Sequence, residues 1–304
     1  MNSPAHWRYS AYGCLIRSEI ELPELTVQVS GPDNSSIFIR RRTIQPRSDE
    51  DTISIEPDGA FMQWAAVGRF KVSREAIDFD LAPGVTDALA AFPLLGPVLA
   101  VMLHLRGRFL LHASAVSVAG LGVVVMGDKG AGKSSTAAAL VGAGQRLLCD
   151  DLVVADSVHT GPTLPPGFGQ LKLSDAALSL VRQLGRERPT VHDAIDKTRL
   201  LLHPEAVERQ TRPLRALCVV ERADEMALEP LDPSAALQAL LKFSYMARFE
   251  ADALRGAAQM QHLTTCAALA GMGFVYRLQV PHGLDRLTEL SGFLERRLQE
   301  SDAL

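Results

Sequence analysis

The segment Gly127-Asp-Lys-Gly-Ala-Gly-Lys-Ser134, followed by Ser135, has the spacing GxxxxGK[ST], a pattern suited to gripping phosphate. Glycines let the backbone bend so that successive N–H groups turn inward toward phosphate oxygens. A helix opening directly behind the loop adds the positive end of its dipole. Lys133 suits the β and γ phosphates, Ser134 suits Mg²⁺, and Ser135 adds a first-turn donor. Average residue usage gives the full pattern by chance in a chain of this length about one time in a hundred. The candidate nucleotide-binding residues are Gly127, Asp128, Lys129, Gly130, Ala131, Gly132, Lys133, Ser134 and Ser135, and the expected ligand is Mg·ATP. The chain has six lysines against twenty-five arginines, yet Lys129 and Lys133 both fall in this loop, where a compact ammonium has a use.

Asp150 and Asp151 follow the strand-like run Arg146 to Cys149. A helix of about eleven residues carries the chain roughly 16 Å from the loop at about 1.5 Å per residue. A strand of about five residues returns it a similar distance at about 3.3 Å each. Two carboxylates then arrive beside Lys133, one able to hold Mg²⁺ and the other to take a proton from an attacking hydroxyl. Like charges so close drive their pKa values apart. His112, in Leu110-Leu-His-Ala-Ser-Ala-Val116, falls on the strand before the P-loop strand; it is either a core histidine or part of the site.

Positioning these groups requires an α/β core. Strands are predicted at Phe109 to Val118, Leu121 to Met126, Arg146 to Cys149, Leu214 to Val220 and Gly273 to Val280. Helices are predicted at Ser134 to Val141, Pro233 to Arg248 and Gly283 to Glu300. Before residue 89 the pattern is β-rich: Ser36 to Thr43 alternates, and Thr52 to Leu81 breaks at the hairpin dipeptide Asp58-Gly59. The expected division is an N-terminal β-rich module at 1–88 and a P-loop domain at 89–304. Ala88 to Leu105 lacks formal charge and approaches the length of a membrane span. Pro93, Pro97 and His104 and the strand that follows mark it instead as a buried helix. The run Arg40, Arg41, Arg42 fits alternation on a half-exposed strand better than an acidic-peptide docking patch.

The chain of 304 residues is long enough to bury a core without staples, and its net charge of -4 and pI of about 6.1 give no footprint for nucleic acid. Cys14, Cys149, Cys218 and Cys266 never fall in a CxxC spacing, so neither zinc nor a disulfide framework is expected and a reducing cytoplasm is. Met1 to Arg8 holds no apolar core of the kind a signal peptide needs.

His112, the loop Gly127 to Ser135, and Gln145-Arg-Leu-Leu-Cys-Asp150-Asp151 together resemble the catalytic core of the HPr kinase/phosphorylase family. The specific similarity covers about forty residues, with weaker similarity through the rest. It implies a mixed-sheet α/β core of the HPr kinase / PEP carboxykinase type. It also implies that Lys133 binds phosphates, Ser134 ligates Mg²⁺, Asp150 is the base on a protein serine, Asp151 supports the metal, and His112 tunes Asp150. Ala113 stands where the family usually has glycine, and Ser135 where glutamate is common. The Glu-Ile-Arg-Gly-type segment that supplies a further metal ligand has no clear counterpart around Pro165 to Leu173.

Other stretches resemble a divergent branch, the kinases of lasso peptide precursors: Tyr12-Gly13, Ser18 to Leu25, Gly107 to Ser114, Asp196-Lys-Thr-Arg199, and Val275 to Pro281. That likeness implies a serine near the C-terminus of a short precursor as acceptor. Lys197 and Arg199 then either supply cations to the transferring phosphoryl group or form a solvated loop cluster. The expected function is an ATP-dependent serine kinase acting on a peptide or small protein, without nucleic acid or membrane, with a homo-oligomer as the assembly to look for. The alternatives are an HPr kinase/phosphorylase and a nucleotide-binding scaffold.

Overall fold

The computed structural model describes residues 7–28, 36–48, 50–188 and 197–300. Residues 1–6 of the Met1 to Arg8 stretch and Asp196 lie outside them. All strands before residue 82 join one eight-stranded sheet with Thr26–Val27 and Thr52–Glu56 at its edges. The expected hairpin forms, with Glu56 opposite Gly59 and a two-residue turn between them. The arginine run sits where Ile37–Arg41 alternates, and each arginine has an acidic partner: Arg40 with Asp78, Arg41 with Asp87, Arg42 with Glu19. Neutralised in this way, it offers little to an acidic peptide.

The chain then enters an apolar helical run, Asp87–Leu105, buried over 72% of its apolar window. By length and composition it is a candidate membrane span, yet it packs into the core, as its prolines and His104 suggest. Pro93 and Pro97 each remove a backbone donor, and between them the helix widens into a π turn in which Gly96 has left helical geometry.

The second large sheet is mixed. Its path is Arg146–Cys149, Ser114–Val118, Leu121–Met126, Arg212–Ala223, Val275–Pro281 and Ala227–Pro230, with Thr163–Leu164 also pairing on Arg212–Ala223. The three central strands, from Leu121, Arg212 and Val275, run parallel, and the rest pair antiparallel. Both faces are covered, which is why the P-loop strand reads as an unbroken apolar run. Val124 and Met126 join the cluster shared with the Asp87–Leu105 run and the N-terminal sheet. Val123 and Val125 face Ala137, Leu140 and Val141 of the helix Lys133–Gly142. Fully burying each valine is worth about 1.5 kcal/mol or more.

Three expected elements end differently. Phe109 to Val118 is two strands broken at His112-Ala113, because Phe109–Leu111 leaves the main sheet to pair with Val153–Ala155. The helix from Pro233, capped by the Asp232 carboxylate on the N–H groups of Ser234 and Ala235, stops at Phe243 instead of Arg248. There the chain extends so that Ser244 bridges Leu111. Near the C-terminus Asp285–Glu289 is a 3₁₀ turn, with the α-helix beginning at Leu290. A helix at Gly256–Gly271 and a small sheet of Gln170–Leu173, Thr198–Leu202 and Gly185–Arg188 complete the core; periodicity gave no sign of them.

Candidate functional site

The P-loop joins the C-terminal end of its strand to a helix whose first residue is Lys133. Positive φ angles at Gly127, Gly130 and Gly132 (159°, 86° and 103°) let the backbone turn, and at Gly132 a side chain would also collide with Arg222. Gly127 is buried, Asp128 to Gly130 are exposed, and Ala131 to Ser135 are half-buried, so the loop opens to solvent on one side. The Lys133 ammonium folds back onto the carbonyls of Gly127 (2.8 Å) and Asp128 (3.3 Å). Burial lowers its pKa and the Lys197 charge adds to this, while Asp150, Asp151 and Asp128 oppose it. Asp128 makes an exposed ion pair with Lys242 at 2.8 Å.

The returning strand Arg146–Cys149 brings Asp150 to the loop as the helix-and-strand arithmetic requires. The carboxylate is 6% exposed. Its Oδ1 accepts hydroxyl hydrogens from Ser114 at 2.6 Å and Ser134 at 3.3 Å, and Oδ2 accepts the Lys172 backbone N–H at 3.1 Å. Burial pushes its pKa up and the Asp151 charge adds to the rise, although the Ser114 hydrogen bond opposes it.

Asp151 has φ 75°, a left-handed conformation uncommon outside glycine, and this turn sends its side chain elsewhere. Oδ2 meets the Lys172 ammonium at 2.8 Å and Oδ1 meets His112 Nδ1 at 3.2 Å. Burial alone would raise its pKa, but the His112 hydrogen bond and the Lys172 charge outweigh this and hold it well below the usual carboxylate range. His112 is therefore a partner of Asp151, not of Asp150, and it sits in the strand break, where its backbone N–H donates to Phe243 O at 2.8 Å. The carboxylate touching Ser134 is Asp150, not Asp151.

Lys197 is exposed and close enough to act on Lys133. Arg199 lies across the strand pair from Lys172. It is 5% exposed and paired with Glu24, also 5% exposed, at 3.6 Å, so its charge is already partly answered by a carboxylate. Lys172, which touches both aspartates, and Arg222, against Gly132, have no counterpart among the sequence candidates. No motif marks them, because their placement depends on pairing between distant strands.

The Ser134 hydroxyl and Asp150 carboxylate form a small set of hard oxygen donors, the kind Mg²⁺ uses when nucleotide phosphates and water complete its shell. Among the described residues no cluster of three or more His, Cys, Asp or Glu side chains could hold a metal by itself. The two donors suit a Mg²⁺ carried in on phosphate.

Residues 104–164 match the HPr Serine kinase C-terminal domain. That segment contains His112, the whole P-loop and both aspartates. The HPr kinase/phosphorylase of Treponema pallidum (strain Nichols) is 47% identical over 49 residues, 16% of this chain and 15% of that protein. The HPr kinase/phosphorylase of Limosilactobacillus reuteri (strain DSM 20016) is 49% identical over 50 residues, 16% of each chain. The alignment thus spans about a sixth of the curated relatives' length. Among solved structures, the Hpr(Ser) kinase/phosphatase from Coxiella burnetii aligns over 63% of this chain and 98% of its own, with TM-score 0.33 and 13% identity.

Proposed function

We propose that the chain is an ATP-dependent kinase that transfers the γ-phosphate to a serine hydroxyl of a peptide or small protein. The observation that carries this reading is Asp150, a buried carboxylate one hydrogen bond from the P-loop serine and already accepting two hydroxyl hydrogens. A P-loop alone needs only to bind; a carboxylate of raised pKa at its edge suits proton transfer from an attacking hydroxyl. In this reading the loop amides and Lys133 hold the triphosphate. Mg²⁺ bound beside Ser134 supplies charge neutralisation on the phosphate oxygens. If Ser134 turns toward the metal, Asp150 Oδ1 keeps the Ser114 hydrogen bond and has room to accept the hydrogen of the substrate serine. Asp151, kept ionised by Lys172 and His112, would add a second negative charge beside Asp150. Lys197, whose charge reaches Lys133, adds a further cation for the phosphates.

For the acceptor we favour a short ribosomally made precursor, on the likeness of the flanking stretches to lasso precursor kinases. The second reading takes HPr as acceptor, on the match of residues 104–164 to the HPr Serine kinase C-terminal domain and on the relatives similar over 49 and 50 residues. The test incubates the pure protein with Mg·ATP and a serine-bearing precursor peptide or HPr, followed by intact mass analysis. A gain of one phosphate on the peptide is expected. A gain on HPr alone replaces the acceptor, and nucleotide binding without transfer to either reduces the protein to a nucleotide-binding scaffold.

A further inference from the structure

Arg222 belongs to no motif and lies outside the matched segment, yet three observations direct it at the phosphate cradle. It sits near the C-terminal end of Arg212–Ala223, the strand hydrogen-bonded in parallel to the P-loop strand through Met126 and Val219. Ligands of open α/β sheets gather in the crevice beyond such carboxyl ends. Its guanidinium lies directly over the loop: a methyl group added at Gly132 would overlap Nη2 and stand 3.1 Å from Cζ. Its Nη1 is fixed by a hydrogen bond to Pro281 O at 3.0 Å, the one protein acceptor it has among the described residues. The plane is thereby anchored at one corner while the remaining N–H groups lie against the loop, with no ion pair to a carboxylate among the described residues. A planar, permanently charged fork in that position matches two phosphate oxygens at once, which an ammonium such as Lys133 cannot do.

We infer that Arg222 is a second phosphate-binding cation of the nucleotide site, reaching the triphosphate from the strand beside the P-loop. Glycine at 132 serves its positive φ and also leaves the guanidinium where it stands. Lys133 and Arg222 hold the phosphates from the helix side and the sheet side, and the charge on the transferring group is shared between them. This rests on the nucleotide-binding reading given above.

The test measures Mg·ATP affinity by titration calorimetry, alongside single-turnover transfer, in the wild type, Arg222→Met and Arg222→Lys, with circular dichroism confirming the fold. Losing a charged hydrogen bond weakens affinity by about tenfold to a hundredfold, so Arg222→Met is expected to bind ATP at least about tenfold more weakly. Arg222→Lys, which keeps the charge but not the fork, is expected to fall between the two. Wild-type affinity in a folded Arg222→Met variant overturns the role of Arg222 and leaves the kinase reading intact. A wild-type protein that binds no nucleotide overturns both. If Arg222→Met does not fold, Arg222→Lys decides alone: affinity equal to wild type overturns the inference, and a loss of threefold or more supports it.

Discussion

Lys172 holds the two aspartates with different atoms: its ammonium is 2.8 Å from Asp151 Oδ2, and its backbone N–H is 3.1 Å from Asp150 Oδ2. The strand Gln170–Leu173 is in this sense a clamp across the acidic pair. The side chain also lies over the Phe92 ring, 4.8 Å from its centroid, which ties the clamp to the apolar helical run.

Lys172→Met removes the ammonium and keeps the backbone donor. Asp150 should retain its partners while Asp151 is left to His112. With the two side chains 22% and 30% exposed, the pair is partly screened and its loss is expected to cost only about 1 kcal/mol of stability. The transfer rate should fall by tenfold or more with ATP affinity nearly unchanged, and Lys172→Arg should recover part of it. Thermal melts beside single-turnover kinetics separate the two effects.

The opposite pKa directions of the aspartates predict opposite stability effects in the protein without nucleotide. Asp150, raised by burial, contributes stability below the ordinary carboxylate range of about 4 and loses it as pH rises through its folded value. Asp151, depressed, contributes stability above that range and loses it as pH falls. Relative to wild type, the melting temperature of Asp150→Asn should improve as pH rises above about 4, and that of Asp151→Asn should worsen as pH rises toward about 4. Equal shifts of the same sign would contradict the two environments.

Binding and transfer should part company in a second pair of variants. Asp150→Asn is expected to bind ATP normally and to transfer phosphate slower by about a hundredfold to ten-thousandfold. Lys133→Ala should impair both steps. Calorimetry for binding and intact mass for transfer give the comparison, and wild-type transfer by Asp150→Asn would remove its role as proton acceptor.

Far from the loop, His104 and His262 are both shifted down, chiefly by burial; the charge of His104 depresses His262 further. His104 Nε2 lies 3.2 Å from Ala253 O and His262 stacks on Phe109 with ring centroids 5.5 Å apart. Neutral in the fold and readier to protonate when unfolded, they give stability above about pH 6.5 that is lost as pH falls below it. His104→Leu should flatten the decline in denaturation midpoint between pH 7 and 5.

The sequence made legible what depends on short spacing. The strand Leu121–Met126, the loop and the strand Arg146–Cys149 follow from local pattern and arithmetic, so the meeting of Ser134 and Asp150 could be anticipated. Which aspartate faces the loop could not, because that turns on one positive φ at Asp151. The break at His112 depends on a carbonyl at Phe243, and the diversion of Arg199 on a glutamate at position 24. Lys172 and Arg222 enter the site through strand pairing across tens of residues, a distance at which residue type carries no signal.

Tyr12 spans the interval between the N-terminal sheet and the acidic pair: its hydroxyl donates to Leu152 O at 3.0 Å and its backbone N–H to Pro166 O at 2.7 Å. The residue after Asp151 is thus moored to the first strands of the chain. Cutting at residue 88 to obtain the P-loop half alone would strip the apolar run of its cover and slip the mooring behind Asp151. A fragment made that way should still carry every motif residue and yet have a slack acidic turn.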